Sequence, residues 1–169
     1  MSRAPLSSEF TEQDTTVADY YLEDFEPGHT YTSPTQAISN EEALDFARRY
    51  DPQYFHLDPV AARDSVFGGL VLGGFQTAAL AWALVLKTGM FDKSALAGIG
   101  LDELRWHKPV RPGDSLRCDF TLLEARASRT HNDRGVARFR YEMKNQRDET
   151  VLSLIMIQML RRRPGPDRI

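Results

Sequence analysis

At 169 residues, with 41% hydrophobic and 27% charged side chains, the chain has the length and balance of a single soluble globular domain with a real core. A net charge of -3 argues against a nucleic-acid partner, which would show as a basic face. The only cysteine, Cys118, excludes an intrachain disulfide and fits a reducing, cytoplasmic compartment, and its place in an alternating segment makes it a packing residue rather than a nucleophile.

Residues 1–19 are polar and lack the apolar core of a signal peptide, so a loose N-terminal arm is expected there, ahead of one domain over 20–163 and a short tail over 164–169. Thr30 to Ala37 reads as a first strand. Ser39 then precedes Glu42 at capping-box spacing, and Ala43, Leu44, Phe46 and Ala47 form the apolar stripe of a short helix that delivers Asp51. Pro52 and Pro59 bracket the next segment, which predicts a shaped loop rather than a continuous helix.

Glycines at 68, 69, 73 and 74 lead into an apolar helix from about Gly74 to Lys87. The longest apolar run, Leu70 to Leu86, is short for a membrane span and contains Gln76 and Thr77, so it reads as a buried helix. Gly98 to His107, Ser115 to Ser128, Gly135 to Asn145 and Thr150 to Arg163 are strand-like, with Asn145 to Glu149 as the last turn. Arg161, Arg162 and Arg163 read as a solvated basic cluster. One long buried helix followed by a run of antiparallel strands is an α+β pattern.

Chemistry concentrates in Asp51 to Asp58, which places a carboxylate and an imidazole five residues apart. Two groups of different pKa near one substrate atom are what proton transfer requires. Two readings are open on these residues alone: an acid–base pair, or an aspartate that caps a turn beside a half-buried histidine. Downstream, the helix beginning at Gly74 offers free backbone N–H groups at the positive end of its dipole, which suits an oxyanion, while glycines of this kind also serve close packing. A phosphate loop is disfavoured, because no Lys and Ser or Thr follow these glycines. The four histidines are scattered without metal-ligand spacing, so no metal is expected, and no Gly-x-Ser-x-Gly elbow is present.

The ordered motifs resemble the MaoC-like (R)-specific enoyl-CoA hydratases and dehydratases. The resemblance runs from about Tyr20 to Arg163 and rests on Phe25-Glu26-Pro27-Gly28, on Asp51, His56, Asp58 and Pro59, on Phe67-Gly68-Gly69 leading to Gly74, and on Lys108 to Leu116. It departs from the family where Asn-Pro reads Gln53-Tyr54 and where the histidine before the helix-start glycine is Gly73. The resemblance implies a hotdog fold, a long central helix wrapped by a curved antiparallel sheet, assembled as a homodimer or a multiple of dimers.

It also implies hydration of an enoyl-CoA or dehydration of the (R)-3-hydroxyacyl form, with Asp51 and His56 holding the water and the Gly74 N–H receiving charge on the thioester oxygen. Coenzyme A would enter as part of the substrate, with no separate cofactor. Lys108 and Arg111 are candidates for its phosphates, or ordinary surface charges. Tyr54, Phe75 and Trp82 are candidates for the acyl pocket; Phe75 and Trp82 are seven residues apart and fall on one helical face, though rings at that spacing also serve as packing. Alternatives are an acyl-CoA thioesterase, disfavoured because no acidic residue lies between Phe67 and Met90, and a non-catalytic thioester-binding subunit.

Overall fold

The computed structural model describes residues 19–165, so the expected arm up to residue 18 and residues 166–169 of the tail lie outside the described residues. Helix α1 (Asn40–Tyr50) begins at the predicted cap. The Ser39 hydroxyl accepts the Glu42 N–H at 3.1 Å, and the Glu42 carboxylate accepts the Ser39 N–H at 3.0 Å. Ala43 and Ala47 are the buried face. The helix stops at Asp51, whose N–H still reaches the Ala47 carbonyl at 3.0 Å, because Pro52 has no N–H to continue the ladder.

Between the two prolines the chain makes a single helical turn, α2 (Tyr54–Leu57), where a loop was expected. The prolines bar a continuous helix but leave room for one turn, closed by the Asp58 N–H on the Tyr54 carbonyl at 2.8 Å. The predicted first strand is also two pieces, β1 (Thr30–Thr32) and β2 (Gln36–Ala37). Both pair with β4 (Ser115–Ala127), but Thr32 faces Asp119 while Gln36 faces Leu116, so the stretch around Pro34 carries one extra residue. Pro34 cannot donate to the ladder. The Ser33 hydroxyl fills the gap by accepting the Cys118 N–H at 2.8 Å.

The long strands are β3 (Ala95–Trp106), β4, β5 (Arg134–Lys144) and β6 (Thr150–Arg161), and the sheet is antiparallel in the order β1-β4-β5-β6-β3. β3 begins three residues before Gly98, because Gly98 and Gly100 lie inside the strand beside its register shifts rather than ending it. Helix α3 (Gly74–Leu86) is apolar on most faces, and Ala81, Leu84 and Val85 join Phe91, Phe120, Phe139 and Tyr141 in the core. This is the α+β arrangement that the sequence predicts.

The C-terminal arginines depart from expectation. Arg162 pairs with Glu23 at 2.6 Å, and Arg163 grips both oxygens of Asp24 at 2.8 and 2.6 Å while lying over the Tyr21 ring. Acidic partners and an aromatic face on the N-terminal segment hold them, so the cluster is not merely solvated. Among the described residues no helix is long and apolar enough to cross a membrane.

Candidate active site

The end of α1 and the single turn α2 place Asp51 and His56 side by side, with Asp51 Oδ2 3.3 Å from His56 Nε2. His56 is 5% exposed and the Asp51 side chain 21%, so the pair is mostly withdrawn from bulk water. The Gln53 amide donates to Asp51 Oδ1 at 2.7 Å, which turns Oδ2 toward the histidine. His56 Nδ1 lies 2.8 Å from the Val71 carbonyl. A carbonyl only accepts, so Nδ1 carries a hydrogen toward Val71 and Nε2 is the nitrogen that faces Asp51. Nε2 and Oδ2, 3.3 Å apart, are close enough for one water molecule to hydrogen-bond to both.

Gly73 lets the start of α3 come close: a Cβ there would stand 2.8 Å from Asp51 Oδ2. Gly74, the first residue of α3, follows, and its N–H has no carbonyl to bond inside the helix. The pair and Gly74 line one cleft of about 450 Å³, whose walls include Phe55, Val71, Phe75, Trp106 and Val110. A basic and acidic pair, an amide at a helix start and an apolar wall can together move a proton next to an enolate or oxyanion.

The predicted residues divide by position. Asp51, His56, Gly74, Phe75 and Lys108 line this cleft, and Tyr54, Trp82 and Arg111 do not. Tyr54 is half exposed, its ring edge-on to Phe55. Trp82 is turned to the core, stacked 6.5 Å from Tyr141 and near Phe91. Arg111 donates to the Phe67 carbonyl at 2.5 Å and the Leu70 carbonyl at 3.2 Å, bracing the glycine loop from behind. Lys108 pairs with Glu149 at 2.5 Å. Cys118 is fully buried, and burial pushes its thiol far up, as for a packing residue. Among the described residues no group of side chains could hold a metal ion.

Sequence reasoning missed three contributors. Gln53 stands where the resembled family has Asn, and an amide two residues after an aspartate was the available signal. The Val71 carbonyl left no signal, because every residue has one. Trp106 lay in a predicted strand 32 residues beyond Gly74, which its indole touches.

Residues 24–142 match the model of the MaoC like domain. The chain belongs to this family. The MaoC-like domain is similar in structure to a MaoC-like dehydratase from Rhodospirillum rubrum, with a TM-score of 0.78 and 35% identity over 86% of this chain and 99% of that one. A Mycobacterium tuberculosis protein described as a double hotdog fold matches 88% of this chain and 46% of its own at a TM-score of 0.72 and 18% identity, which bears on the fold alone. In sequence the domain is 31% identical over 103 residues to the uncharacterised protein YdeM of Bacillus subtilis, covering 61% of this chain and 71% of the relative. It is 39% identical over 70 residues to mesaconyl-CoA hydratase of Cereibacter sphaeroides, covering 41% of this chain but 20% of that much longer protein.

Proposed function

We propose that this MaoC-like domain is a hydro-lyase that adds water across the 2,3-double bond of an enoyl-CoA, giving the (R)-3-hydroxyacyl-CoA, or catalyses the reverse. The observation that carries this reading is the Asp51–His56 pair opening on a cleft that Gly74 also lines. A water molecule donating to Oδ2 and Nε2 would turn its oxygen lone pairs away from both, toward C3 of a bound enoyl group. As the C3–O bond forms, one of the pair takes the water proton. The π electrons move onto C2 and the thioester oxygen, where the Gly74 N–H offsets the charge. Return of a proton to C2 from the same side restores the carbonyl and completes the addition. Roles within the pair belong to the pair, because groups this close titrate together. Coenzyme A enters as part of the substrate and no separate cofactor takes part.

Two copies pair into a homodimer through the exposed edge strand β3, and a buried thiol at Cys118 suits the reducing cytoplasm. The names of the R. rubrum dehydratase and the mesaconyl-CoA hydratase support the reaction class.

A short 2-enoyl-CoA, followed by loss of its conjugated absorbance, tests the reaction. The expected result is bleaching by the natural protein and a loss on the order of 10²–10⁴ in rate for Asp51→Asn and for His56→Ala, each with unchanged circular dichroism. Release of free thiol would instead mark a thioesterase. Binding with no change in either signal would mark a non-catalytic subunit.

A further inference from the structure

Trp106 ends the edge strand β3 and stands in the wall of the cleft, 49% exposed. Its indole Nε1–H donates to the Gly74 carbonyl at 2.8 Å. A Cβ at Gly74 would lie 2.8 Å from Trp106 Cε2 and 3.0 Å from Nε1, closer than real side chains tolerate. Gly74 is not among the residues with positive φ, so it is the indole, and not the backbone conformation, that requires glycine here. The ring also meets Phe75 edge-on at 5.9 Å.

The neighbouring peptide is held as well. The Gly73 carbonyl receives both the N–H of Thr77 at 3.0 Å and its hydroxyl at 3.1 Å. The Gly74 N–H belongs to that peptide plane, and the carbonyl held by Trp106 belongs to the next. The amide of this cleft-lining residue therefore lies in a plane fixed through the Gly73 oxygen, and the plane that follows is fixed through the Gly74 oxygen. One clamp comes from within α3 and the other from the sheet.

We propose that Trp106 is a positioning residue: by holding the Gly74 carbonyl it sets the direction of the Gly74 N–H against the Asp51–His56 pair. This rests on the hydration reading, in which that N–H receives the oxyanion. Hydrogen bonds weaken steeply as they bend, and a preorganised donor acts only if it is aimed before charge develops. Trp106 touches the donor's own residue and thereby ties its aim to the strand that edges the sheet.

Trp106→Phe keeps an aromatic wall and removes the donor. The expected result is a fall in kcat on the order of 10- to 100-fold with KM for a short enoyl-CoA little changed, because alignment and not affinity is lost. A kcat within twofold of the natural protein would overturn the proposal, and so would a loss carried mainly by KM, which would make Trp106 only a wall. Hydrogen exchange of the indole gives a readout independent of activity. In Trp82→Phe, Trp106 is the only tryptophan left of the chain's two. Its indole N–H should exchange more slowly than free indole, and exchange at the free rate would remove the clamp. If the natural protein hydrates nothing, the hydration reading falls, and the exchange measurement alone decides whether Trp106 holds Gly74.

Discussion

Phe75 and Trp82 share one stripe of α3, yet the fold gives them different surroundings. Phe75, at the helix start, overhangs the cleft and is 70% exposed, whereas Trp82 lies where the helix crosses the sheet and stacks on Tyr141. Any choice of acyl length that the helix imposes therefore belongs to Phe75, and we expect short or compact acyl groups to be preferred. Trp82→Ala should cost roughly 3 kcal/mol of stability, because it opens a cavity beside Phe91 and Tyr141, and should leave the chain-length profile where it was. Phe75→Ala should cost little stability and improve kcat/KM for longer enoyl-CoAs. Denaturant unfolding and a substrate series of rising length read both effects, and a Trp82→Ala protein that gained long-chain activity would reverse the assignment.

At the scale of the elements, the turn between β5 and β6 is held by charge. Asn145 accepts the N–H groups of Arg147 and Glu149 through its side-chain oxygen, and Asp148 takes a left-handed conformation at φ 60°. Glu149 in turn accepts from Asn145, Lys108 and Arg147. Those hydrogen bonds, that from Asn145 foremost, pull its carboxyl from 4.5 to about 2. A carboxylate depressed in the folded state stabilises the fold at pH values above its ordinary pKa, and that contribution fades as pH falls from 4.5 toward 2. Glu149→Gln should therefore be less stable than the natural protein at pH 6 and should lose less on acidification through this window. Unfolding midpoints at pH 6, 4 and 2.5 would show it, and parallel decline of the two proteins would count against the turn's part in acid stability. Lys108 is engaged in the same network, so its charge at the cleft is partly answered by Glu149 before any ligand arrives.

At the scale of the whole molecule the feature that bears on assembly is the edge strand. β3 has β6 on one side and no strand on the other among the described residues, and it leaves Ile99, Leu101 and Trp106 about half exposed. A twelve-residue edge with apolar side chains invites pairing with a second copy, and a two-fold dimer closes both edges at once. Sedimentation should give twice the mass of the chain, and Leu101→Lys should shift the protein toward monomer. A stable, active monomer of the natural protein would count against the pairing. At the far corner, the ion pairs from Arg162 to Glu23 and from Arg163 to Asp24 tie the two ends of the described chain together.

What the sequence by itself determined is what local physics governs. The Ser39–Glu42 cap, the stop at Pro52, the mostly apolar α3 and the alternating strands each depend on neighbours within a turn or a pleat, so their residues declare them. The position of Asp51 at a helix end follows from the same local rules, whereas the single helical turn that carries His56 was read as a loop. Tertiary structure decided the rest, because it joins groups far apart in the chain or groups without side-chain identity. The pairing of both β1 and β2 with β4 exposed the extra residue around Pro34. The Val71 carbonyl selects the His56 tautomer although any residue could supply it. Trp82 packs against the core because its ring meets Tyr141 and Phe91 there, and Gly74 must be glycine because an indole from β3 packs against it. Such contacts are set by where the sheet's register carries each strand, and that depends on the whole core closing at once.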